Sequence, residues 1–170
     1  MVEKNSVELK DLENVMVFLD DCFKETYSFF PKQNFENFFI FFFSKEKLLN
    51  SIKKNHFIKI SNEKNEIIGI LDAYFDLNDC YCTVNSFYVK STEQNKGIGK
   101  LIIKDFLKKV EKYKIDRIWM GFFIKNEKTF QIYKKFNFQE TKREMIKIEN
   151  LEFEYCHGYF KTTDLISKLL

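Results

Sequence analysis

Proline is almost missing from this chain, with Pro31 alone among 170 residues, and glycine is scarce at five. So little punctuation excludes a loop-rich or linker-divided protein and predicts regular elements through most of the length. Histidine and cysteine are thin as well. His56 and His157 are the two histidines, and Cys22, Cys80, Cys82 and Cys156 include no C-x-x-C pair. These spacings argue against a metal site and against a disulfide framework, and reduced thiols in a cytoplasm follow. Cys80 and Cys82, two apart, are read as packing on one face of a strand. Long hydrophobic runs are absent. Met1 to Lys10 has charges and no apolar core of a signal peptide, and Phe38 to Phe43 is far shorter than the roughly 20 residues of a membrane span. A net charge of +3 gives no strongly basic face, so neither nucleic acid nor membrane is an expected partner.

What the chain has instead is aromatic bulk, with 21 phenylalanines in a composition 45% hydrophobic and 31% charged. That balance is a folded chain with a large apolar core. Phe35, Phe38, Phe39 and Phe42 recur at helical spacing and predict a buried helix face. No repeat or linker divides the sequence. Residues 1–162 are read as a single domain and 163–170 as a C-terminal tail.

The apolar period changes along the chain. Val7–Leu9 is a candidate first strand, and Asp11 a cap for a helix carrying Leu12, Val15, Met16, Leu19 and Phe23. A second helical region spans 35–53. Strands are predicted at His56–Ile60, Glu66–Phe75 and Cys80–Val89, joined by the polar turns Asn62–Asn65 and Leu77–Asp79. Gly97–Lys114 reads as an amphipathic helix with Ile98, Leu101, Ile102, Phe106, Val110 and Tyr113 on its apolar face. A strand at Arg117–Phe123, a helix at Asn126–Phe136 and strands near 138–148 and 151–160 complete an α/β layout. Six to seven mostly antiparallel strands and about four helices are expected, with the strand–helix–strand piece at 83–122 parallel.

The chemistry concentrates where a strand runs into a helix through Gln94-Asn95-Lys96-Gly97-Ile98-Gly99-Lys100. Two glycines let a ligand approach the backbone, and the first helical N–H groups lack internal acceptors. With the positive end of the helix dipole, and Lys96 and Lys100 nearby, such a turn can cradle a phosphate. On spacing alone it can equally be a tight turn. There is no G-x-x-x-x-G-K-[ST], and no G-x-G-x-x-G after a first strand with a later ribose-binding acid.

Gln94 to Gly99 resembles the Q/R-x-x-G-x-G/A signature of the GNAT superfamily of N-acetyltransferases. A second block, Asn126 to Phe138, is similar to that family's N-x-x-A-x-x-x-Y-x-K-x-G-F. Thr129 stands for the usual Ala, Asn137 for the usual Gly, and Asn95 for a common Gly at a free position. The resemblance implies acetyl-CoA as cosubstrate, no metal, and a fourth and fifth strand that splay apart at a bulge. It implies that Gln94 to Lys100 hold the pyrophosphate, and that the backbone of Phe87 and Val89 pairs with the pantetheine arm. Asn126 would bond that arm, and Tyr133 would bind beside the sulfur and protonate the departing thiolate. From the residues alone, Asn126 can be only a helix cap and Tyr133 only a core aromatic. The implied reaction is direct acetyl transfer to a primary amine of a small molecule, in the manner of the polyamine branch. A protein amino group, or a non-catalytic acyl-CoA-binding module, is the alternative, as a monomer or homodimer.

An alkylammonium with a pKa near 10.4 needs a proton acceptor. The fourth strand offers Thr83, Asn85 and Ser86 but no acid. Asp72, Asp76 and Asp79 are the nearest carboxylates, followed by Asp20, Asp21 and Glu25, and the base stays unassigned. The thiol reading is testable now: mass spectrometry after denaturing alkylation without reductant is expected to find all four cysteines modified, and two or fewer would overturn it.

Overall fold

The computed structural model describes residues 2–169. In chain order the elements are β1 (Glu3–Ser6), α1 (Leu12–Thr26), α2 (Phe35–Phe43), α3 (Lys45–Lys54), β2 (His56–Ser61), β3 (Ile67–Asp76) and β4 (Tyr81–Val89). Then come α4 (Ile98–Lys112), β5 (Arg117–Phe123), α5 (Glu127–Lys135), β6 (Gln139–Ile148), β7 (Leu151–Lys161) and α6 (Thr162–Leu169). The strands form one seven-stranded mixed sheet in the order β1-β2-β3-β4-β5-β7-β6. β1 with β2, β2 with β3, β5 with β7 and β6 with β7 are antiparallel. β4 and β5 are parallel, as a strand–helix–strand connection requires. Their ladder joins Tyr81, Cys82 and Thr83 to Arg117, Ile118 and Trp119, whereas β5 pairs with β7 over its full length.

Contacts divide the chain into two compact units, residues 1–74 with 84–103, and residues 75–83 with 104–170. The first is built around Phe23. Its ring meets Tyr27 at 4.7 Å, Phe43 at 5.9 Å and Phe30 and Phe39 at 6.0 Å, while Phe38 stacks on Phe30 at 4.0 Å. This is where the phenylalanine-rich α2 spends its apolar face, in tilted and edge contacts that aromatic quadrupoles favour. Gly69 on β3 lets α4 come close, because a Cβ there would lie 2.8 Å from the Ile102 side chain. The second unit packs Phe122 against Tyr133, Phe130 and Phe138, with Phe160 closing the cluster.

Several expectations need correction. Val7–Leu9 is not a strand; β1 ends at Ser6 and Leu9–Asp11 is a 3-10 turn. The helical region at 35–53 is two helices, because Ser44 leaves helical geometry and its hydroxyl accepts the Lys47 N–H to start α3. Of the residues placed in a tail, 163–169 belong to α6, anchored by the Thr162 hydroxyl donating to the Ile115 carbonyl at 2.6 Å and by the buried Leu165, and Leu170 lies outside the described residues. With α6 and the divided region, six α-helices occur among the described residues rather than about four. Cys80 does not share a strand face with Cys82: it sits in the turn at φ 52° and is exposed, while Cys82 is fully buried. Leu101 points outward at 42% exposure, and Leu107 takes the place in the core.

Asp11 stands at the start of α1 but does not cap it with its side chain. Its carboxylate accepts from the Glu8 N–H at 2.9 Å and from Lys59 Nζ on β2 at 2.5 Å. Both members of this ion pair are largely buried. Burial alone would raise the Asp11 carboxyl, but the Lys59 and Glu8 hydrogen bonds and the charges of Lys59 and Lys10 hold it below its ordinary value. Asp11→Ala leaves Lys59 an uncompensated cation and is expected to lower stability by about 2–4 kcal/mol in urea unfolding. A carboxyl depressed in the fold contributes above its unfolded pKa. The parent's advantage should therefore vanish as pH falls through the folded value.

Candidate active site

The turn between β4 and α4 takes its shape from the bonds around it. Lys90 N–H donates to the Ile68 carbonyl, a short 3-10 turn covers Ser91–Glu93, and the Gln94 side-chain amide donates back to the Val89 carbonyl at 3.0 Å. Asn95 and Gly97 then adopt left-handed φ values of 61° and 87°. Asn tolerates that region and Gly is indifferent to it, so the sequence supplies the two residue types the turn needs. Leu101 N–H to the Gly97 carbonyl closes the first turn of α4. The N–H groups of Ile98, Gly99 and Lys100 have no intrahelical acceptor and project at the positive end of the dipole.

A Cβ added at Gly97 would meet open space, with no heavy atom within 4 Å. A Cβ at Gly99 would sit in ordinary contact with Phe87 and Val89, 3.6 and 3.8 Å away. Gly97 therefore borders open space, while Gly99 faces the Phe87 and Val89 side chains where α4 packs on β4. Lys96 pairs with Glu93 at 3.2 Å, and Lys100 is exposed on α4.

β4 carries a break in its alternation. Asn85 reaches Asp72, on the side of β3 that faces α3, and Tyr88 meets Tyr27, just past the end of α1, and Phe43 of α2. Phe87 and Val89 instead lie against Gly99 of α4. Asn85 and Tyr88 share a face although three residues apart, which a regular two-residue period forbids and a bulge produces.

Asp72 is 3% exposed. Asn55 Nδ2 donates to its Oδ1 at 2.7 Å and Asn85 Nδ2 to its Oδ2 at 3.3 Å, and Ser51 also bonds it. Burial raises its carboxyl above the ordinary carboxylate value against the opposing pull of these neutral donors. Burial also pushes the Cys22 and Cys82 thiols up to about 12, so both are inert packing groups. A separate cleft of about 550 Å³ lies along α1, where Asp21, Glu25 and Glu66 share the lining with Lys24 and Lys90. That mixture of signs selects no one ligand charge.

Of the residues singled out from sequence, Phe87, Val89 and Gln94 to Lys100 lie together in the first unit, and Asn126 and Tyr133 in the second. Asn126 is buried and caps α5, its Oδ1 accepting the Thr129 N–H at 3.1 Å. Tyr133 is half-buried, its ring 5.1 Å from Phe122, 5.2 Å from Phe160 and 5.3 Å from Phe138. Asn137 holds the left-handed cap of α5 at φ 61° in place of glycine. Sequence reasoning missed the bond from Asn85 to Asp72, since nothing in a linear pattern reports which face a bulged strand presents.

Residues 25–151 match the family model described as an acetyltransferase (GNAT) domain. The chain belongs to the GNAT acetyltransferase family. It is therefore an acetyl-CoA-dependent N-acetyltransferase acting on amines. Among solved structures it is similar to the PaiA N-acetyltransferase of Thermoplasma acidophilum in complex with coenzyme A, at 21% identity, TM-score 0.75, and coverage of 95% of this chain and 99% of that one. The spermidine N-acetyltransferase of Vibrio cholerae in complex with CoA and spermine follows at 14% identity and TM-score 0.68, covering 97% and 98%. The ribosomal-protein-S18-alanine N-acetyltransferase of Escherichia coli stands at 13% and 0.70, covering 95% and 94%. None of the curated proteins matches the sequence. Among the described residues no group of three or more His, Cys, Asp or Glu is placed to hold a metal ion, and no helix is long and apolar enough to cross a membrane.

The turn can be tested directly. A ligand that binds only the folded state raises the melting temperature by mass action. Gly97→Ala adds a methyl into the open space at a strained φ. It is expected to cost about 1–2 kcal/mol of stability and to abolish the acetyl-CoA shift; an undiminished shift would show that the turn is not the cradle.

Proposed function

We propose that the protein transfers the acetyl group of acetyl-CoA directly to a primary amine of a small molecule, with polyamines the first class to try. The reading rests above all on the turn at Gln94 to Lys100, whose left-handed Asn95 and Gly97 and first α4 N–H groups, without intrahelical acceptors, fit a pyrophosphate. In this reading the thioester lies along β4 at Phe87 and Val89, where a backbone N–H near Val89 can donate to the oxyanion. The ladder along β4 on its β5 side involves Tyr81, Cys82 and Thr83, and the reading gives the backbone around Phe87 and Val89 to the pantetheine arm. Asn126 would bond that arm with the Nδ2 that the α5 cap does not use. Tyr133 would give its phenolic proton to the departing thiolate.

Support for a small amine comes from the spermidine N-acetyltransferase, which aligns over nearly its whole length. A protein amino group is the second reading, because the ribosomal-protein-S18-alanine enzyme shares the fold at a TM-score of 0.70. A panel of polyamines, other primary amines and short peptides, scored by thiol release from acetyl-CoA, separates the two. Turnover of peptides with no small amine accepted would overturn the first.

Tyr133→Phe removes the hydroxyl and keeps the ring against Phe122, Phe138 and Phe160. The loss is expected in kcat, at the lower end of the roughly 10²–10⁴-fold that a positioned acid contributes. Acetyl-CoA binding should change little, since the bond strengthens only in the transition state. Parental turnover in the folded variant would make Tyr133 a core residue.

A further inference from the structure

The first unit buries two carboxylates, and they are treated in opposite ways. Asp11 has a cation: Lys59 Nζ lies 2.5 Å away and its carboxyl is held low. Asp72 has none. Its hydrogen-bond partners are two side-chain amides and a hydroxyl, and no charged group contributes to its ionisation. From α3 come Ser51 and Asn55, from β4 Asn85, and from β2 the apolar Phe57 opposite it in register; along β3 itself, Ile70 and the exposed Tyr74 share its face. A buried anion without a counter-ion is expensive, and a fold seldom keeps one without use. The one donor of the three that is itself exposed is Asn85. Asn85 precedes Phe87 by two residues, about 7 Å along the strand. The unpaired carboxylate thus connects to solvent at the stretch of β4 proposed to carry the thioester.

We infer that Asp72 accepts the proton of the incoming ammonium, and that Asn85 presents the amine to it. The inference rests on the acetyl-transfer reading above and supplies the base that reading lacks. The substrate's own ammonium is the cation that completes Asp72. Its N–H displaces the long Asn85 bond from Oδ2, and the proton passes to the carboxylate, leaving a neutral amine with a free lone pair. Nitrogen then bonds to the thioester carbon and the carbonyl π pair moves to oxygen. Collapse breaks the C–S bond, Tyr133 gives its phenolic proton to the departing thiolate, and the second proton lost by nitrogen passes through solvent to the Tyr133 phenolate. The products are the amide and free coenzyme A, and Asp72 returns its proton to water. Neutral donors suit this work better than a lysine would, because a fixed cation would hold the carboxyl too acidic to take a proton from an amine.

The decisive measurement is the pH–rate profile of parent, Asp72→Asn and Asn55→Ala with whichever amine the parent accepts. Asp72→Asn keeps the shape of the side chain, and its fold is checked by the acetyl-CoA melting shift, which should persist. Its kcat is expected to fall by roughly 10²–10⁴-fold near neutrality. That deficit should shrink about tenfold per pH unit as pH climbs toward the amine's own pKa and neutral amine becomes plentiful. Asn55→Ala loosens the tie between α3 and β3 and removes one donor from the base but leaves the base itself, so it should cost stability and should lower kcat much less than Asp72→Asn does. A parental rate in Asp72→Asn overturns the inference. So does a pH-independent loss matched by Asn55→Ala, which would make Asp72 a tether for α3. Should Asp72→Asn fail to fold, Asn85→Ala decides: the inference requires an amine KM at least about tenfold higher with an unchanged melting temperature, and a parental KM overturns it. A parent that turns over no acceptor at all, yet binds acetyl-CoA, sinks the acetyl-transfer reading itself.

Discussion

One hydrogen bond, from the Gln94 amide to the Val89 carbonyl, fixes how the fourth strand hands the chain to the fourth helix. The bond folds the turn back on the strand end and leaves Asn95 and Gly97 to take the left-handed conformations that open it. Everything proposed for the coenzyme depends on that hand-over. The helix N-terminus can serve the proposed role only if it lies beside the strand, and at Gly99 the Phe87 and Val89 side chains of β4 come within ordinary contact distance of where a Cβ would stand.

The first unit places its polar groups with similar economy. An aromatic cluster around Phe23 holds α1 and α2 together, and two carboxylates are sunk into the unit with opposite surroundings. One is neutralised by lysine and ties α1 to β2; the other meets only amides and a hydroxyl. The same residue type can be a structural rivet or a poised proton acceptor depending on whether its partner carries a charge, and no composition statistic separates the two.

Much of this was legible in the residues. The run from Arg117 to Phe123 was read to its ends, because a short apolar run bounded by charged turns leaves little choice. The strand-to-helix turn at Gln94 to Lys100 was legible because its glycines and flanking strand sit close in sequence. Elements that depend on distant partners were not. Leu9 has β-compatible neighbours but forms a 3-10 turn, because the Glu8 N–H bonds Asp11, and Asp11 in turn answers Lys59, 48 residues away. The break at Ser44 was hidden by an apolar period that continues across it. α6 is hidden from a linear reading because its hold comes from residues far away in sequence: the Ile115 carbonyl accepts from the Thr162 hydroxyl, and the Lys135 carbonyl and Asn137 accept from Lys168. The bulge in β4 leaves every residue type unchanged and alters only which way each one faces.

The strand order β5-β7-β6 has a bearing on how the protein is made. β7 follows the other six strands of the sheet in the chain, yet it sits between two strands that precede it, pairing with β5 on one side and β6 on the other. Until residues 151–161 leave the ribosome, neither neighbour has its hydrogen-bonding partner on that side, and both present raw sheet edges. β6 answers with charge, as Lys142, Arg143 and Glu144 run consecutively through its middle. A chain that closes its sheet by late insertion gains time in which edge-to-edge sticking is the main hazard, and the charged middle of β6 guards one of the two open edges until the final strand arrives.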